Sequence, residues 1–235
     1  MSQGSRLDPW VDAYASRAHA MRASEIRALF AVASRPEVVS LAGGMPFVQA
    51  LPTEMLTSTA TRLLQERGPV ALQYGSGQGD VTLREQILEV IGEVGVQAHA
   101  DDIVVTTGSQ MALDLVTRVF CDPGDVVLVE SPSYVGALGV FRAYECNVVH
   151  VAMDDEGLVP SALQEAITRA RAAGQRIKLI YTIPSFHNPA GVTQGPARRA
   201  EILQIARREG IALLEDDPYG LLGFDGEPPR AIRAD

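Results

Sequence analysis

The segment Thr107-Gly-Ser-Gln110 combines a flexible glycine with two polar residues at the predicted start of a helix. Glycine allows a tight turn, and the free backbone amides of a helix N-terminus attract an anion, above all a phosphate group. Gly108, Ser109 and Gln110 are therefore candidate phosphate-binding residues. The same four residues are equally typical of a helix that Ser109 simply caps with its hydroxyl group.

Two further segments carry side chains that could bind a planar ring. In Glu130-Ser-Pro-Ser-Tyr134, a turn places an aromatic residue after a predicted strand, and Tyr134 could stack on a flat ligand. In Pro184-Ser-Phe-His-Asn188-Pro-Ala-Gly191, two prolines and a glycine fix a loop from which the Asn188 amide could donate to a phenolate oxygen. The alternatives are that Tyr134 packs in the core or at an interface, and that Asn188 only caps the turn.

The fourth segment, Glu215-Asp-Asp-Pro-Tyr219, places adjacent carboxylates at the end of a predicted strand. A buried carboxylate is costly unless it meets a cation or hydrogen-bond donors. A protonated pyridine nitrogen is such a cation, and keeping it protonated lets the ring withdraw electrons from a carbanion. Asp216 is the candidate for this pairing. The alternative, that the carboxylates cap a helix or face solvent, suits one of Asp216 and Asp217 better than both.

A predicted α/β sheet positions these segments. From about residue 101, short β-branched apolar runs alternate with stretches of helical period, a pattern typical of a parallel sheet covered by helices. Ligands bind at the carboxyl ends of the strands in such folds, which is where all four segments lie. The predicted strands are residues 103–107, 126–129, 148–151, 178–183 and 211–215. The predicted helices are residues 24–33, 54–65, 111–120, 136–144, 161–173 and 198–209.

The composition is that of an ordinary globular protein, with 46% hydrophobic and 21% charged residues among 235 and a formal net charge of −9. This charge argues against nucleic acid or an anionic membrane as the main partner. We find no secretory signal, and no apolar run approaches the ~20 residues that span a bilayer. Cys121 and Cys146 lie in core-like segments and match no metal-ligand spacing, so we expect buried thiols, no metal and a cytoplasmic location.

Taken in order, the segments resemble motifs of the pyridoxal 5'-phosphate (PLP) dependent aminotransferases of fold type I, class I/II. The branch of 2-aminoadipate and kynurenine aminotransferases is the most similar, and the resemblance covers nearly the whole chain. It implies a three-layer α/β/α large domain with a mostly parallel sheet, PLP as the cofactor, and transfer of an amino group between an amino acid and a 2-oxo acid. The matching motifs are Ser24-Glu-Ile-Arg27, Leu41-Ala-Gly-Gly-Met-Pro46, Asn188-Pro-Ala-Gly191 and Asp216-Asp-Pro-Tyr219.

The resemblance also assigns roles to individual residues. It implies that Gly108, Ser109 and Gln110 hold the phosphate while Tyr134 stacks on the ring. Asp216 would pair with the pyridine nitrogen and so take part in catalysis.

The same resemblance implies contacts with the ring oxygen of PLP and across the subunit interface. Asn188 and Tyr219 would bind the 3-oxygen of the ring, with Tyr219 counted among the catalytic residues and Asn188 also near the substrate. Tyr74, in Gln73-Tyr-Gly-Ser-Gly-Gln-Gly79, would reach the phosphate of the neighbouring subunit. We therefore expect a homodimer with a shared active site.

Substrate contacts are expected from the N-terminal region. Gly43 and Gly44 would lie over the substrate, and Arg27 would bind a distal substrate carboxylate through its planar guanidinium group; the alternative is that Arg27 faces solvent. We expect residues 1–50 to form an N-terminal arm and helix that contribute to a small domain and to the substrate cover. Residues 51–235 would form the PLP-binding large domain.

The resemblance requires a lysine that binds the cofactor as a Schiff base and moves a proton. The chain has a single lysine, Lys178, at the start of a predicted strand and in a context unlike the family's lysine segment. We interpret Lys178 as a solvated strand-end residue. The sequence therefore predicts a large domain that is truncated before the Schiff-base lysine, so that transamination requires a longer protein and the chain alone is inactive.

Other functions are compatible with the same residues. PLP-dependent lyases, racemases and oxidases share these contacts and differ in the fate of the substrate carbanion. The effector domain of a transcription regulator can have the same fold, although residues 1–41 show no winged-helix domain. A non-catalytic fragment is the remaining alternative.

Overall fold

The structure is a computed structural model that describes residues 10–20, 35, 37–39 and 47–235. These residues fall into two compact units, one within Met1–Met21 and Val81–Asp235 and the other within Arg22–Asp80. The predicted helix at residues 24–33 lies outside the described residues. Of the helices that the structure describes, none combines the length and the apolar character needed to cross a membrane.

A five-stranded sheet forms the centre of the first unit. The strands are β1 (Val126–Ser131), β2 (Asn147–Asp154), β3 (Gly157–Leu158), β4 (Ile177–Thr182) and β5 (Ala212–Glu215). Their order is β3-β2-β1-β4-β5, and all neighbours are parallel except β2 and β3. The chain moves from β1 to β2 on one side and later to β4 on the other, which creates a topological switch point between β1 and β4. The predicted mostly parallel sheet is confirmed.

The α-helices from Ser109 onward cover the two faces of this sheet, whereas the α-helix Thr53–Ala71 belongs to the second unit. The α-helices are α1 (Ser16–Ala20), α2 (Thr53–Ala71), α3 (Val81–Gly92), α4 (Ser109–Phe120), α5 (Val135–Ala143), α6 (Pro160–Ala172) and α7 (Pro196–Glu209). Short 3-10 helices are formed by Val11–Ala13, Val48–Ala50, Ala100–Asp102, Gly220–Leu222 and Ile232–Ala234. Prolines begin α6 and α7, where a missing backbone N–H has no consequence for the helix.

The sheet divides the core into two layers because side chains alternate along each strand. Val126 and Leu128 of β1 pack with α6 and α7, whereas Val127 and Val129 pack with α4 and α5. Each of these four side chains is at most 1% exposed. The predicted three-layer α/β/α arrangement is therefore confirmed.

One predicted strand is wrong. The strands predicted at residues 126–129, 148–151, 178–183 and 211–215 form within a few residues of the expected bounds, whereas residues 103–107 form none. Ile103 has an extended backbone (φ −106°, ψ 132°), but its segment pairs with no strand in the described part of the chain. β-branched residues favour an extended backbone, and a strand additionally requires a hydrogen-bonded neighbour.

Two helices also differ from the prediction. α3 was not predicted, although Leu83, Ile87 and Val90 have helical spacing. α2 extends beyond the predicted residues 54–65 and contains Pro69, with a kink at Arg67, whose backbone is not helical (φ −130°, ψ 18°). A proline inside a helix removes a hydrogen bond and clashes with the preceding turn, which accounts for the kink.

Cys121 and Cys146 are free and buried, each 9% exposed, as the sequence predicted. Burial raises the pKa of both thiols, and that of Cys146 reaches about 12. Because the thiolate is the reactive form of cysteine, burial disfavours reaction at both sulfur atoms.

Candidate active site

The loops that follow β1, β4 and β5 leave the sheet at the same edge because these strands are parallel. Tyr134 lies on the loop after β1, Asn188 on the loop after β4, and Asp216 and Tyr219 directly after β5. β1 and β4 flank the topological switch point, where the ligand crevice of an open α/β sheet forms. The structure therefore brings these sequence-predicted residues to one edge of the sheet.

The N-terminus of α4 is joined to this edge through Gln110, whose Nε2 atom donates to the carbonyl oxygen of Gly136 at 3.2 Å. Gly108 is the N-cap of α4 and has a φ of 74°, which favours glycine. Ser109 is the first helical residue, and no side chain caps the helix, so the alternative that Ser109 is the N-cap is wrong. Ser109 and Gln110 are exposed, which leaves the first amides of α4 accessible to an anion.

Tyr134 precedes α5, and its ring lies against Gly136. A Cβ atom at position 136 would overlap the Cζ and Oη atoms of this ring, so the close approach requires glycine. The tyrosine is half-buried and packs on the core layer formed with α4 and α5. Part of the side chain therefore contributes to the core, and the rest remains accessible at the edge of the sheet.

Asp216 is held by a buried tyrosine that the sequence motifs do not include. Tyr181 Oη donates to Asp216 Oδ2 at 2.6 Å, and the backbone N–H of Asp216 donates to the carbonyl oxygen of Thr182 at 3.0 Å. Burial raises the pKa of Asp216, the hydrogen bond from Tyr181 opposes this rise, and the charge of Asp217 adds to it. A cation beside Asp216 would favour the ionised carboxylate, as expected for a residue that pairs with a pyridinium nitrogen.

The two adjacent aspartates have different surroundings. Asp216 is half-buried, whereas Asp217 is exposed and places its carboxylate against Gly220 at the start of a 3-10 helix. Tyr219 immediately precedes this helix and is half-buried. The alternative that the carboxylates face solvent therefore applies to Asp217 and not to Asp216.

A buried polar cluster anchors the loop that carries Asn188. Glu130, near the end of β1, is 0% exposed, and its carboxylate accepts three hydrogen bonds from β4 and the following loop. The donors are Thr182 Oγ1 at 2.7 Å, Ile183 N at 2.8 Å and Gln194 Nε2 at 2.9 Å. His187 Nε2 lies 3.1 Å from Glu130 Oε2, close but not aligned as a hydrogen bond. Its bonded neighbours are all donors, so both carboxylate oxygens act as hydrogen-bond acceptors.

A buried arginine of α7 holds both ends of the same loop. Arg199 is 4% exposed, and its guanidinium group donates to three oxygens of the loop. The acceptors are Gln194 O at 2.9 Å, Pro184 O at 3.0 Å and Ser185 Oγ at 3.0 Å. Arg199 Nη1 also lies 3.9 Å from Glu215 Oε1 at the end of β5. One side chain therefore connects the loop after β4 with the residue that precedes Asp216.

Arg27, Gly43 and Gly44 are outside the described residues. Tyr74 belongs to the second unit, where its side chain is 99% exposed.

Lys178 is the second residue of β4, at the end of the strand opposite to the candidate site. Its Nζ atom lies 3.9 Å from Asp125 Oδ2, and its side chain is 36% exposed. Lys178 is thus a strand-end lysine, as predicted, but it is paired with a buried carboxylate instead of being surrounded by solvent.

Comparison with known proteins agrees with this arrangement. The sequence profile of the family "Aminotransferase class I and II" matches residues 38–235. Aromatic-amino-acid aminotransferase 1 of Thermococcus litoralis is 40% identical over 222 residues, which make up 94% of this chain and 53% of that protein. The 2-aminoadipate transaminase of Thermus thermophilus is 40% identical over 216 residues, or 92% of this chain and 52% of that protein. The chain thus spans about half the length of these curated relatives.

The fold is shared with a solved aminotransferase. The crystal structure of Pyrococcus horikoshii kynurenine aminotransferase in complex with PMP matches with a TM-score of 0.89 and 38% identity. The match covers 98% of this chain and 57% of that one. The predicted PLP-dependent transferase fold of type I is therefore confirmed, and this chain belongs to the class I and II aminotransferases.

Proposed function

We propose that this chain forms the PLP-binding region of an aminotransferase that moves an amino group between an amino acid and a 2-oxo acid. The observation that carries the proposal is the half-buried Asp216 carboxylate, which Tyr181 holds at the switch-point edge of the sheet. The activity belongs to the full-length protein, since the chain spans about half of its relatives.

The residues at this edge fit the chemical groups of PLP. The start of α4 suits a phosphate, because Ser109 and Gln110 are exposed. Apart from the chain neighbours of Gly108, no atom of the described residues lies within 4 Å of the position of a Cβ on this glycine. The partly accessible ring of Tyr134 suits an aromatic plane. The carboxylate of Asp216 suits a cationic ring nitrogen.

When bound, PLP supplies an electron-withdrawing ring that stabilises negative charge at the α-carbon of an amino acid. In our proposal, Asp216 holds the proton on the pyridine nitrogen through its negative charge. Asn188 and Tyr219 donate to the 3-oxygen of the ring, and Asn188 also contacts the substrate. The amides of α4 and the side chains of Ser109 and Gln110 bind the phosphate.

The proposal also includes residues whose roles rest mainly on the family resemblance. Gly43 and Gly44 cover the substrate, and Arg27 pairs with its distal carboxylate. Tyr74 binds the phosphate of the partner subunit in a homodimer, which its 99% exposed side chain supports. Light scattering that gave a monomer for the full-length protein at assay concentrations would contradict the shared site.

We also propose how the chain is organised and where it acts. Residues 1–50 form an arm that contributes to a small domain, and residues 51–235 form the PLP-binding large domain. A cytoplasmic location is supported by the two free, buried thiols Cys121 and Cys146, because reducing compartments keep thiols unpaired.

Borohydride labelling tests the proposed cofactor site. We expect the full-length protein to bind one PLP per subunit and, after reduction and peptide mapping, to carry the label on a lysine outside residues 1–235. Lys178→Ala is the matched control and should leave the labelling unchanged. Stoichiometric labelling of Lys178 would contradict the proposal.

A transamination assay tests the proposed reaction. We expect 2-oxo acid to form from an amino donor only when a 2-oxo acid acceptor is present, in equal amounts with the new amino acid. Product formed without an acceptor would instead indicate a PLP-dependent lyase, racemase or oxidase.

A further inference from the structure

Tyr181 is held rigidly in the middle of the sheet. The residue is 0% exposed and lies opposite Val129 of β1 and Leu214 of β5. Its ring makes an edge-to-face contact with Phe141, with ring centroids 5.5 Å apart and planes inclined by 73°. A buried ring packed in this way has little freedom, so the position of its hydroxyl group is set by the core.

This hydroxyl group binds one particular oxygen of Asp216. The Oη–Oδ2 distance of 2.6 Å is typical of a strong hydrogen bond to a carboxylate. Within the described residues, Oδ1 of Asp216 accepts no hydrogen bond. One oxygen is therefore fixed and the other is available to a ligand.

The charges around the pair keep the proton on the tyrosine. Burial raises the pKa of Tyr181, and the negative charge of Asp216 raises it further, with smaller contributions from Glu130 and Tyr134. Asp216 is influenced by Tyr181 of β4 and by Asp217 of its own loop. Tyr181 thus remains a donor through the physiological pH range, and its hydrogen bond favours the ionised form of Asp216.

We propose that Tyr181 is a positioning residue for the cofactor, because its hydroxyl group orients the Asp216 carboxylate and keeps it negative for pairing with the pyridine nitrogen. This inference rests on the proposed function and adds to it a residue that contacts neither PLP nor substrate directly. Tyr181 acts on the ring only through Asp216.

The test is Tyr181→Phe in the full-length protein reconstituted with PLP that carries nitrogen-15 in the ring. The substitution keeps the packed ring and removes only the hydroxyl group. We expect the pH at which the bound pyridine nitrogen loses its proton to fall by about 1 unit, the typical effect of one hydrogen bond to a charged group. We expect kcat to fall on the order of tenfold and KM to stay within about twofold, because Tyr181 does not contact substrate.

Tyr144→Phe is the matched control. Tyr144 Oη donates to Asp114 Oδ1 at 3.1 Å, so this variant also removes a tyrosine–aspartate hydrogen bond, but one that does not involve Asp216. We expect its nitrogen-15 titration and kcat to equal those of the unmodified protein. Equal titrations for Tyr181→Phe and Tyr144→Phe would overturn the inference.

A second change covers the case in which Tyr181→Phe does not fold. Replacing the Tyr181 side chain with 3-fluorotyrosine makes the hydroxyl group a stronger donor, so the pyridine nitrogen should lose its proton at a higher pH. An unchanged titration would overturn the inference. Failure of the unmodified protein to bind PLP would instead refute the proposed function, so the two failures are distinguishable.

Discussion

Replacing Glu130 with glutamine should destabilise the sheet edge that carries Asn188. Glu130 Oε1 accepts from Thr182 and Gln194, and Oε2 accepts from Ile183 and faces His187. An amide group has one oxygen and one NH2 group, so either orientation of the glutamine places donors against donors.

The expected loss of stability follows from the number of hydrogen-bond donors that Glu130→Gln leaves without an acceptor. The less costly orientation turns the NH2 group toward Thr182, whose hydroxyl group can rotate and accept, and leaves the Gln194 amide without its acceptor on residue 130. Each buried polar group left unpaired costs about 1–3 kcal/mol. We therefore expect a loss of about 2 kcal/mol in the free energy of unfolding, or a decrease of about 4–8 °C in Tm.

Urea denaturation and thermal unfolding of Glu130→Gln measure this loss. The matched control is Glu165→Gln on α6, where the side chain is exposed and the change should stay within about 0.5 kcal/mol. We also expect weaker PLP binding in Glu130→Gln, because the loop that positions Asn188 loses its anchor. A loss below about 1 kcal/mol would show that the cluster tolerates a neutral side chain and would refute this reasoning.

Four further substitutions in the full-length protein test the site. Asp216→Ala should retain some PLP but lower kcat by about 100-fold or more. Asp217→Ala removes an exposed charge and should lower kcat by about fivefold at most. If steady-state kinetics gave the reverse order, the roles of the two aspartates would be exchanged. Gly136→Ala should displace the Tyr134 ring, raising the Kd for PLP about threefold to tenfold in a fluorescence titration, and an unchanged Kd would show that the ring does not stack on PLP. Arg27→Gln should weaken turnover of 2-aminoadipate or glutamate by on the order of 2 kcal/mol while sparing apolar amino acids, and equal losses would indicate a structural role.

The fold was largely predictable because its strands and helices carry clear periodic patterns. β1, β4 and β5 are mostly apolar runs, and the covering helices have apolar residues at three- and four-residue spacing, so their positions and the parallel sheet could be inferred from the sequence. Residues 103–107 show the limit of such patterns. Their composition predicts an extended backbone, which Ile103 has, but composition does not reveal whether a neighbouring strand is available.

The candidate site was predictable only in part, because recognisable motifs contain the side chains that face a ligand. Tyr134, Asn188 and Asp216 follow strands and have types suited to a ring, an oxygen and a cation. Glu130 and Tyr181 were not predicted as parts of the site because each lies in a strand made mostly of apolar residues. A carboxylate at the end of such a strand was the available signal, since it requires buried donors that must come from neighbouring segments.

The buried residues hold the ligand-facing residues in place, which has a physical consequence for the site. Asp216 and Asn188 are half-buried, yet each is joined to a residue that is at most 1% exposed. Asp216 accepts a hydrogen bond from Tyr181, and Asn188 follows His187 directly in the chain. Tyr134 is likewise confined by its contact with Gly136. The groups expected to bind the cofactor are therefore oriented by the core before any ligand arrives, which lowers the entropy lost on binding. Substitutions of the buried partners should change affinity and protonation at the site even though these side chains do not touch the ligand.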